Sequence, residues 1–422
     1  MSKRLLLVAI PVLVLALAAV AWRADALNWL VSHFMISQAD PPSLPANFSQ
    51  ITIPFELVNE HISIKAQVND SRALEFMLDT GDKFAIVDLD LAKELGVKLG
   101  GDIDAHGMGT QVTKGAFVKG ASFRLSGFTG FSQPVTLAFP MRNLAPRLGH
   151  DLDGVIGSEF IKYFVLELDY QKRTITLHNR DTFSYSGSGE SVPIHLSSMG
   201  HPVLQAAVTP VGGDPIDADF VLDVGASGAL QLNSTFVADH HLPGPNVQTI
   251  REIGTVGAGG ETQGRIGHVA AFRIGKYTLR NPATVFSSDK SGAAAASDVQ
   301  GNIGEEILER FKLFFDYSHD RIIFEPNAAF ADGFDRAFSG LHIEAEGKDY
   351  KIFRIKEVLE NAPGSEAGLQ RNDVITAVDG RPASDLNYSA VLEMFRRPAT
   401  LKLTIERAGQ TLSITLTPRK LI

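Results

Sequence analysis

The 422-residue chain has no cysteine. That excludes disulfides, thiolate metal sites, a cysteine nucleophile and a lipidated N-terminal cysteine, and it leaves any metal to histidine and carboxylates. Positive charge is not in excess either: 39 Lys and Arg stand against 48 Asp and Glu, a formal net charge of −9. A general nucleic-acid binder needs a basic face for phosphates, so that class is disfavoured. Neither His-Glu-x-x-His nor Gly-x-Ser-x-Gly occurs, so the local signatures of a zinc peptidase and of a serine-hydrolase elbow are missing. Long apolar runs are missing too, with one exception at residues 5–21, which follow Lys3-Arg4 and are broken only by Pro11. The hydrophobic fraction of 44% argues against disorder, and the length suits two or three domains, each with its own core.

The exceptional run, with its basic residues on the N-terminal side and small residues after it, reads as an export signal. Retained, it would be a short anchor with the basic end cytoplasmic. Its length falls between those classes, and both stay open. In either case the bulk of the chain is expected to leave the cytoplasm.

What the chain does have is an acidic turn written twice. Phe76-Met77-Leu78-Asp79-Thr80-Gly81 returns 144 residues later as Phe220-Val221-Leu222-Asp223-Val224-Gly225. Each apolar run predicts a buried strand, and each Gly a sharp turn, after which Ala85-Ile86-Val87 and Ala229-Leu230 resume burial. Each Asp is therefore expected at a strand end, partly sheltered from water. A second matched block supports a two-fold repeat: Asp153-Gly154-Val155-Ile156-Gly157 and Gln300-Gly301-Asn302-Ile303-Gly304 both lead into strands, and both last glycines precede an Asp (Asp169, Asp316) by 12 residues. If the halves pack about a pseudo-two-fold axis, Asp79 and Asp223 face each other. Two close carboxylates cannot both ionise cheaply, so one keeps its proton. Such a pair can activate water while polarising a carbonyl.

Glycine-rich segments follow each acidic strand, Gly107-Met108-Gly109 in one half and Gly257-Ala258-Gly259 in the other. They are placed to cover a cleft, although the same residues would serve equally as ordinary β-turns. From about residue 338 the pattern changes. Gly340-Leu341-His342-Ile343, then Ala362-Pro363-Gly364-Ser365-Glu366-Ala367-Gly368-Leu369, Val378-Asp379-Gly380 and paired strands at 400–418 follow one another. This order closely resembles a bacterial-type PDZ domain. In that family a Gly-Leu-x-Ile loop receives a peptide carboxylate, and an extended peptide adds to the sheet edge.

The duplicated turns resemble aspartic proteases of the retropepsin and pepsin type, and with the PDZ the whole resembles a bacterial exported aspartic protease. The resemblance implies a mainly β chain of duplicated pepsin/retropepsin-like acid-protease β-barrel lobes followed by a PDZ domain. Its parts would be a signal peptide or membrane anchor at 1–26, a linker at 27–50, lobes at 51–183 and 192–330 about a Ser/Gly-rich connector at 184–191, and the PDZ at 338–422. It carries the catalytic pair onto Asp79 and Asp223, supported in their turns by Thr80, Gly81, Gly225 and Ser227. The flaps fall on residues 107–109 and 257–259, and peptide binding in the PDZ falls on Gly340, Leu341, His342 and Ile343. The implied activity is peptide-bond hydrolysis in the periplasm, free or membrane-anchored, on polypeptide substrates. No metal, cofactor, nucleic acid or obligate oligomer is expected.

Two departures bear on activity. Val224 stands where the second turn would offer a hydroxyl, leaving the grip between turns one-sided. Asp82 adds a third carboxylate that would raise the pair's pKa values unless Lys83 offsets it. The alternative these support is a catalytically weak or inactive protease-like scaffold that binds peptide without cutting.

Overall fold

A computed structural model describes residues 47–105, 111–125, 131–132, 135–197, 199–253, 256–257, 260–334 and 337–422. The expected leader and almost all of the linker lie outside these residues, as do Gly107, Met108, Gly109, Ala258 and Gly259. No helix among the described residues is long and apolar enough to cross a membrane.

The chain is mainly β, and its two halves repeat one construction. In the first, strand Leu74–Leu78 alternates buried and half-buried residues and lies between His61–Val68 and Gly154–Ile156. Gly154–Ile156 runs parallel to it, Val155 opposite Met77, and antiparallel to Ala85–Asp88. In the second, Gly301–Ile303 runs parallel to Ile216–Leu222, Asn302 opposite Val221, and antiparallel to Leu230–Leu232. Each half thereby forms a ten-stranded sheet with the acid-bearing strand near its centre. Edge-on phenylalanine pairs fill equivalent places beneath the two strands, Phe76 with Phe123 and Phe220 with Phe272, all fully buried.

A third, six-stranded sheet joins the halves. Its order places Phe164–Asp169 from the first beside Phe311–Asp316 from the second, Leu166 opposite Phe315 and Leu168 opposite Leu313. These apolar strands continue the core across both halves, so the two acidic turns are held by one packed body. The Ser/Gly-rich stretch is itself tied down: the Tyr185 hydroxyl donates to Glu325 at 2.8 Å and accepts from the Gly189 amide at 2.7 Å, and Glu190–Pro193 pairs with Arg321–Pro326.

The C-terminal domain has a separate core built on Ile343, Phe353, Ile355, Val391 and Leu403. Its main strand order runs Leu341–Glu346, Ile352–Val358, Val374–Val378, Leu401–Arg407, Gln410–Leu416, which puts Leu341–Glu346 at an edge. Helix Tyr388–Phe395 starts where the Asn387 side chain accepts the Ala390 amide at 2.7 Å. Phe338 bridges to Arg419 and brings the ends of the domain together.

Candidate active site

The acidic turns are placed by matched backbone bonds. The Asp79 amide donates to the Ile156 carbonyl at 3.1 Å, and the Asp223 amide to the Ile303 carbonyl at 3.0 Å. Beyond each apolar-Gly corner a short helix returns its first amides to the opposite side of the turn: Ser158 N to Asp82 O at 2.8 Å, and Glu305 N to Ala226 O at 2.8 Å. That approach needs glycine at 157 and 304, where a Cβ would lie 2.5 Å from the Phe84 carbonyl oxygen in one case and 2.6 Å from the Gly228 carbonyl oxygen in the other. The matched glycines of the sequence are thus the corners on which the turns rest.

The turns meet. Each Asp accepts from the glycine amide two residues on, Gly81 N to Asp79 Oδ1 at 2.7 Å and Gly225 N to Asp223 Oδ1 at 2.9 Å. Each carboxyl also lies over the glycine of the other half: a Cβ on Gly81 would fall 2.5 Å from Asp223 Oδ2, and one on Gly225 would fall 2.5 Å from Asp79 Oδ1. Burial, then the neighbouring charges of Asp223 and Asp82, hold the Asp79 carboxyl well above the usual carboxylate range. Burial and the Asp223 charge raise Asp82 to about 6. Lys83 does not lie over the pair; its ammonium sits 5.4 Å from the Phe84 ring centre and its stem runs beside Gly200.

Thr80, fully buried, makes the expected grip from one side. Its hydroxyl donates to the Leu222 carbonyl at 2.6 Å and accepts from the Val224 amide at 3.0 Å. Val224, which has no hydroxyl to return, is packed into the core instead. A Thr80→Val variant keeps the shape but strands two backbone groups across the seam, each costing about 1–3 kcal/mol. Urea unfolding is expected to show a loss of roughly 2–4 kcal/mol for Val and little for Ser. Equal stability of all three proteins would mean that the hydroxyl does not join the turns. Ser227 lies exposed on its turn, and the hydrogen bonds to Asp223 come from Gly225 of the turn and Asn302 of strand Gly301–Ile303 instead.

Three residues absent from the sequence expectations adjoin the turns. The Asn302 side-chain amide donates to Asp223 Oδ2 at 3.1 Å, whereas the matching position of the first half holds Val155. The halves are therefore alike in backbone and unlike in polarity: beside the glycine amide that each acid accepts, Asp223 also receives a side-chain amide, which Val155 cannot supply at the matching position. That difference was legible in the repeat itself, Gly-Val-Ile-Gly against Gly-Asn-Ile-Gly. Glu60 Oε2 accepts from the Gly228 amide at 3.0 Å, just past the second turn, and Glu60 also pairs with Arg396 of the C-terminal domain. Glu305 is wholly buried, accepts from the Tyr170 hydroxyl at 2.8 Å, and is pushed well above the usual carboxylate range by burial.

Of the second glycine-rich segment, Val256–Gly257 pairs with Gly260–Glu261 as a hairpin. Gly260 lies against the Gln111 side chain, which belongs to the first half immediately after residues 106–110. In the C-terminal domain Gly340 has φ +72, the left-handed region glycine favours. The Leu341 amide donates to the Ser339 hydroxyl at 3.3 Å, Ile343 is in the core, and His342 Nε2 lies 3.8 Å from Glu344.

The aspartyl protease family profile matches residues 64–160, which contain the first acidic turn, and the PDZ domain profile matches residues 354–407. The chain thus carries an aspartyl protease-like domain and a C-terminal PDZ domain. Among curated proteins, Serine protease HTRA1 of Xenopus laevis is 33% identical over 67 residues, 16% of this chain and 14% of that protein. A Probable CtpA-like serine protease of Staphylococcus haemolyticus (strain JCSC1435) is 35% identical over 75 residues, 17% of this chain and 15% of that protein. In both cases the chain spans only about one seventh of the relative's length.

Proposed function

We propose that the protein is an aspartic-type endopeptidase that cuts extended polypeptide by a water molecule activated between Asp79 and Asp223. The observation that carries this reading is the crossed packing of the acidic turns, each carboxyl seated over the other turn's glycine. The unequal surroundings supply a direction. Asp79, whose carboxyl favours its proton, donates to the scissile carbonyl oxygen, while Asp223, held by the Asn302 amide, accepts a proton from water. The oxygen of that water bonds to the carbonyl carbon and gives a tetrahedral diol. Collapse breaks the C–N bond as Asp223 passes its proton to the leaving nitrogen and Asp79 takes one from a diol hydroxyl, which becomes the carboxyl oxygen, so the pair again holds one proton. The hairpin at 256–261 and residues 106–110 would cover the substrate, and the PDZ would engage peptide segments through Gly340, Leu341, His342 and Ile343. Its place of action on this reading is outside the cytoplasm, in the periplasm or at a membrane through residues 1–26.

The curated relatives are named as serine proteases, so catalytic type is what the first experiment addresses. The full chain is incubated with a reduced, alkylated polypeptide between pH 4 and 8, with and without a fluorophosphonate probe that acylates serine nucleophiles. Cleavage is expected to continue undiminished at saturating probe. Loss of cleavage with labelling of the chain would overturn the aspartic reading in favour of a serine nucleophile. Binding of the polypeptide with no cleavage at any pH would favour the non-cutting scaffold, for which the absent hydroxyl at Val224 is the structural support.

A further inference from the structure

The outer side of the PDZ edge strand Leu341–Glu346 is covered by the chain itself. Helix Ala145–Leu148 of the first protease half packs against that strand. Gly149, at φ +74, caps the helix and sits against Tyr388, the first residue of the PDZ helix, where a Cβ would lie 2.5 Å from the Tyr388 Cβ. The Tyr388 hydroxyl in turn donates to the Ile343 carbonyl. The segment thus spans the opening between strand and helix, the groove in which an extended peptide would add to the sheet.

The segment is fastened by charge. Arg147 Nε donates to Glu344 Oε1 at 2.9 Å, on the edge strand, and Arg147 Nη2 to Glu261 Oε1 at 3.2 Å, on strand Gly260–Glu261 of the second half. One guanidinium therefore ties the PDZ strand to the hairpin. Two further bonds hold the domain down, Tyr350 Oη to Asp151 Oδ1 at 2.5 Å and the Arg396 pair with Glu60, whose other oxygen holds Gly228. The Glu344 side chain is only 14% exposed and keeps its charge through Arg147 and, at 3.3 Å, Lys356. Without Arg147 that carboxylate would keep Lys356 but lose the guanidinium bond at its other oxygen, which a bare apolar peptide could not replace.

We propose that residues 145–151 occupy the PDZ groove in cis, and that an extended peptide with a basic residue opposite Glu344 displaces them and frees Glu261 from Arg147. The binding half stands on the packing alone; the consequence for cleavage rests on the aspartic-protease reading. A groove filled in cis weakens any ligand in proportion to the small open fraction, so emptying it strengthens binding without a new contact.

The test uses the full chain and a fluorescein-labelled peptide copying residues 141–152, with the same peptide carrying R147E as control. Against wild-type protein the basic peptide is expected to bind weakly. An Arg147→Glu protein is expected to bind it roughly tenfold or more tightly, the gain set by the open fraction, and to prefer it over the control. The doubly reversed protein, Arg147→Glu with Glu344→Arg, restores the cis pair and is expected to return to weak binding of the basic peptide, which separates unplugging from misfolding. Equal binding by wild type and Arg147→Glu overturns cis occupancy, and equal binding of the two peptides overturns the requirement for a basic residue. Cleavage of a short peptide is followed in parallel and is expected to rise in Arg147→Glu. Tighter binding with unchanged cleavage in an active enzyme removes the link to the hairpin alone, and absence of cleavage in every protein counts against the catalytic reading while leaving the binding result decisive.

Discussion

Asp79→Asn and Asp223→Asn each lose cleavage, by roughly 10²–10⁴-fold in kcat/KM if the carboxyls serve as acid and base. Asn is the informative replacement because its side-chain oxygen can still accept the glycine amide that each Asp now receives, Gly81 N or Gly225 N, so the turn survives while proton exchange does not. The two variants should differ in stability. Asp79 and Asp82 have raised pKa values, the latter about 6, and Glu305 is raised as well. An acid whose folded pKa exceeds its unfolded one contributes stability fully below the unfolded value, and that contribution is lost as pH rises through the folded value. These acids are therefore expected to make the wild-type protein weaken as pH climbs through about 6 and beyond, opposed by His61, His150 and His201, whose pKa values burial lowers and which destabilise it as pH falls. Asp79→Asn removes one of these raised acids and should show a smaller fall in Tm between pH 5 and 8 than the wild type, while being inactive at both. Loss of activity together with a higher Tm at pH 8 cannot come from unfolding. Unimpaired cleavage in both Asn variants would end the assignment of these residues.

The acidic turns, the repeat and the PDZ pattern were legible because each is written in a short window: apolar run, acid, glycine, or Gly-Leu-His-Ile at the head of a strand. What was not legible depends on where distant segments land. Thr80 could be assigned to a grip by resemblance, but that its hydroxyl spans Leu222 O and Val224 N is a property of the packed seam. Lys83 was the sequence's candidate to neutralise Asp82, and adjacency could not say that its side chain would run over Phe84 instead. Glu60 and Arg147 lie on a turn and on a four-residue helix with no motif around them, and acquire meaning only from Arg396, Glu344 and Glu261, which belong to other parts of the chain. Asn302 is the intermediate case: its side-chain bond needs the fold, yet its mismatch with Val155 stands in the aligned halves.

The crossed turns make a second prediction that does not involve the acids' own side chains. Gly225 is not at a positive φ, so its need for glycine is one of space. An added methyl carbon would stand 2.5 Å from Asp79 Oδ1 and closer still to the carboxyl carbon, a distance no real contact sustains. The first turn cannot retreat easily, because Thr80 and the Ile156 carbonyl hold it in a filled core. Gly225→Ala is therefore expected to cost about 1–3 kcal/mol, the usual range for overpacking, and to push the carboxyls apart. Two other glycines calibrate the result. Gly101→Ala meets nothing within 4 Å and should be silent. Gly228→Ala also meets nothing but sits at φ +81, so it should lose only the roughly 1–2 kcal/mol of left-handed strain and keep most of its cleavage. Urea unfolding and peptide cleavage measured on the three variants separate steric from backbone effects. If Gly225→Ala is as stable and as active as Gly101→Ala, the turns do not touch, and a pair of acids sharing one proton across them is ruled out on geometry alone.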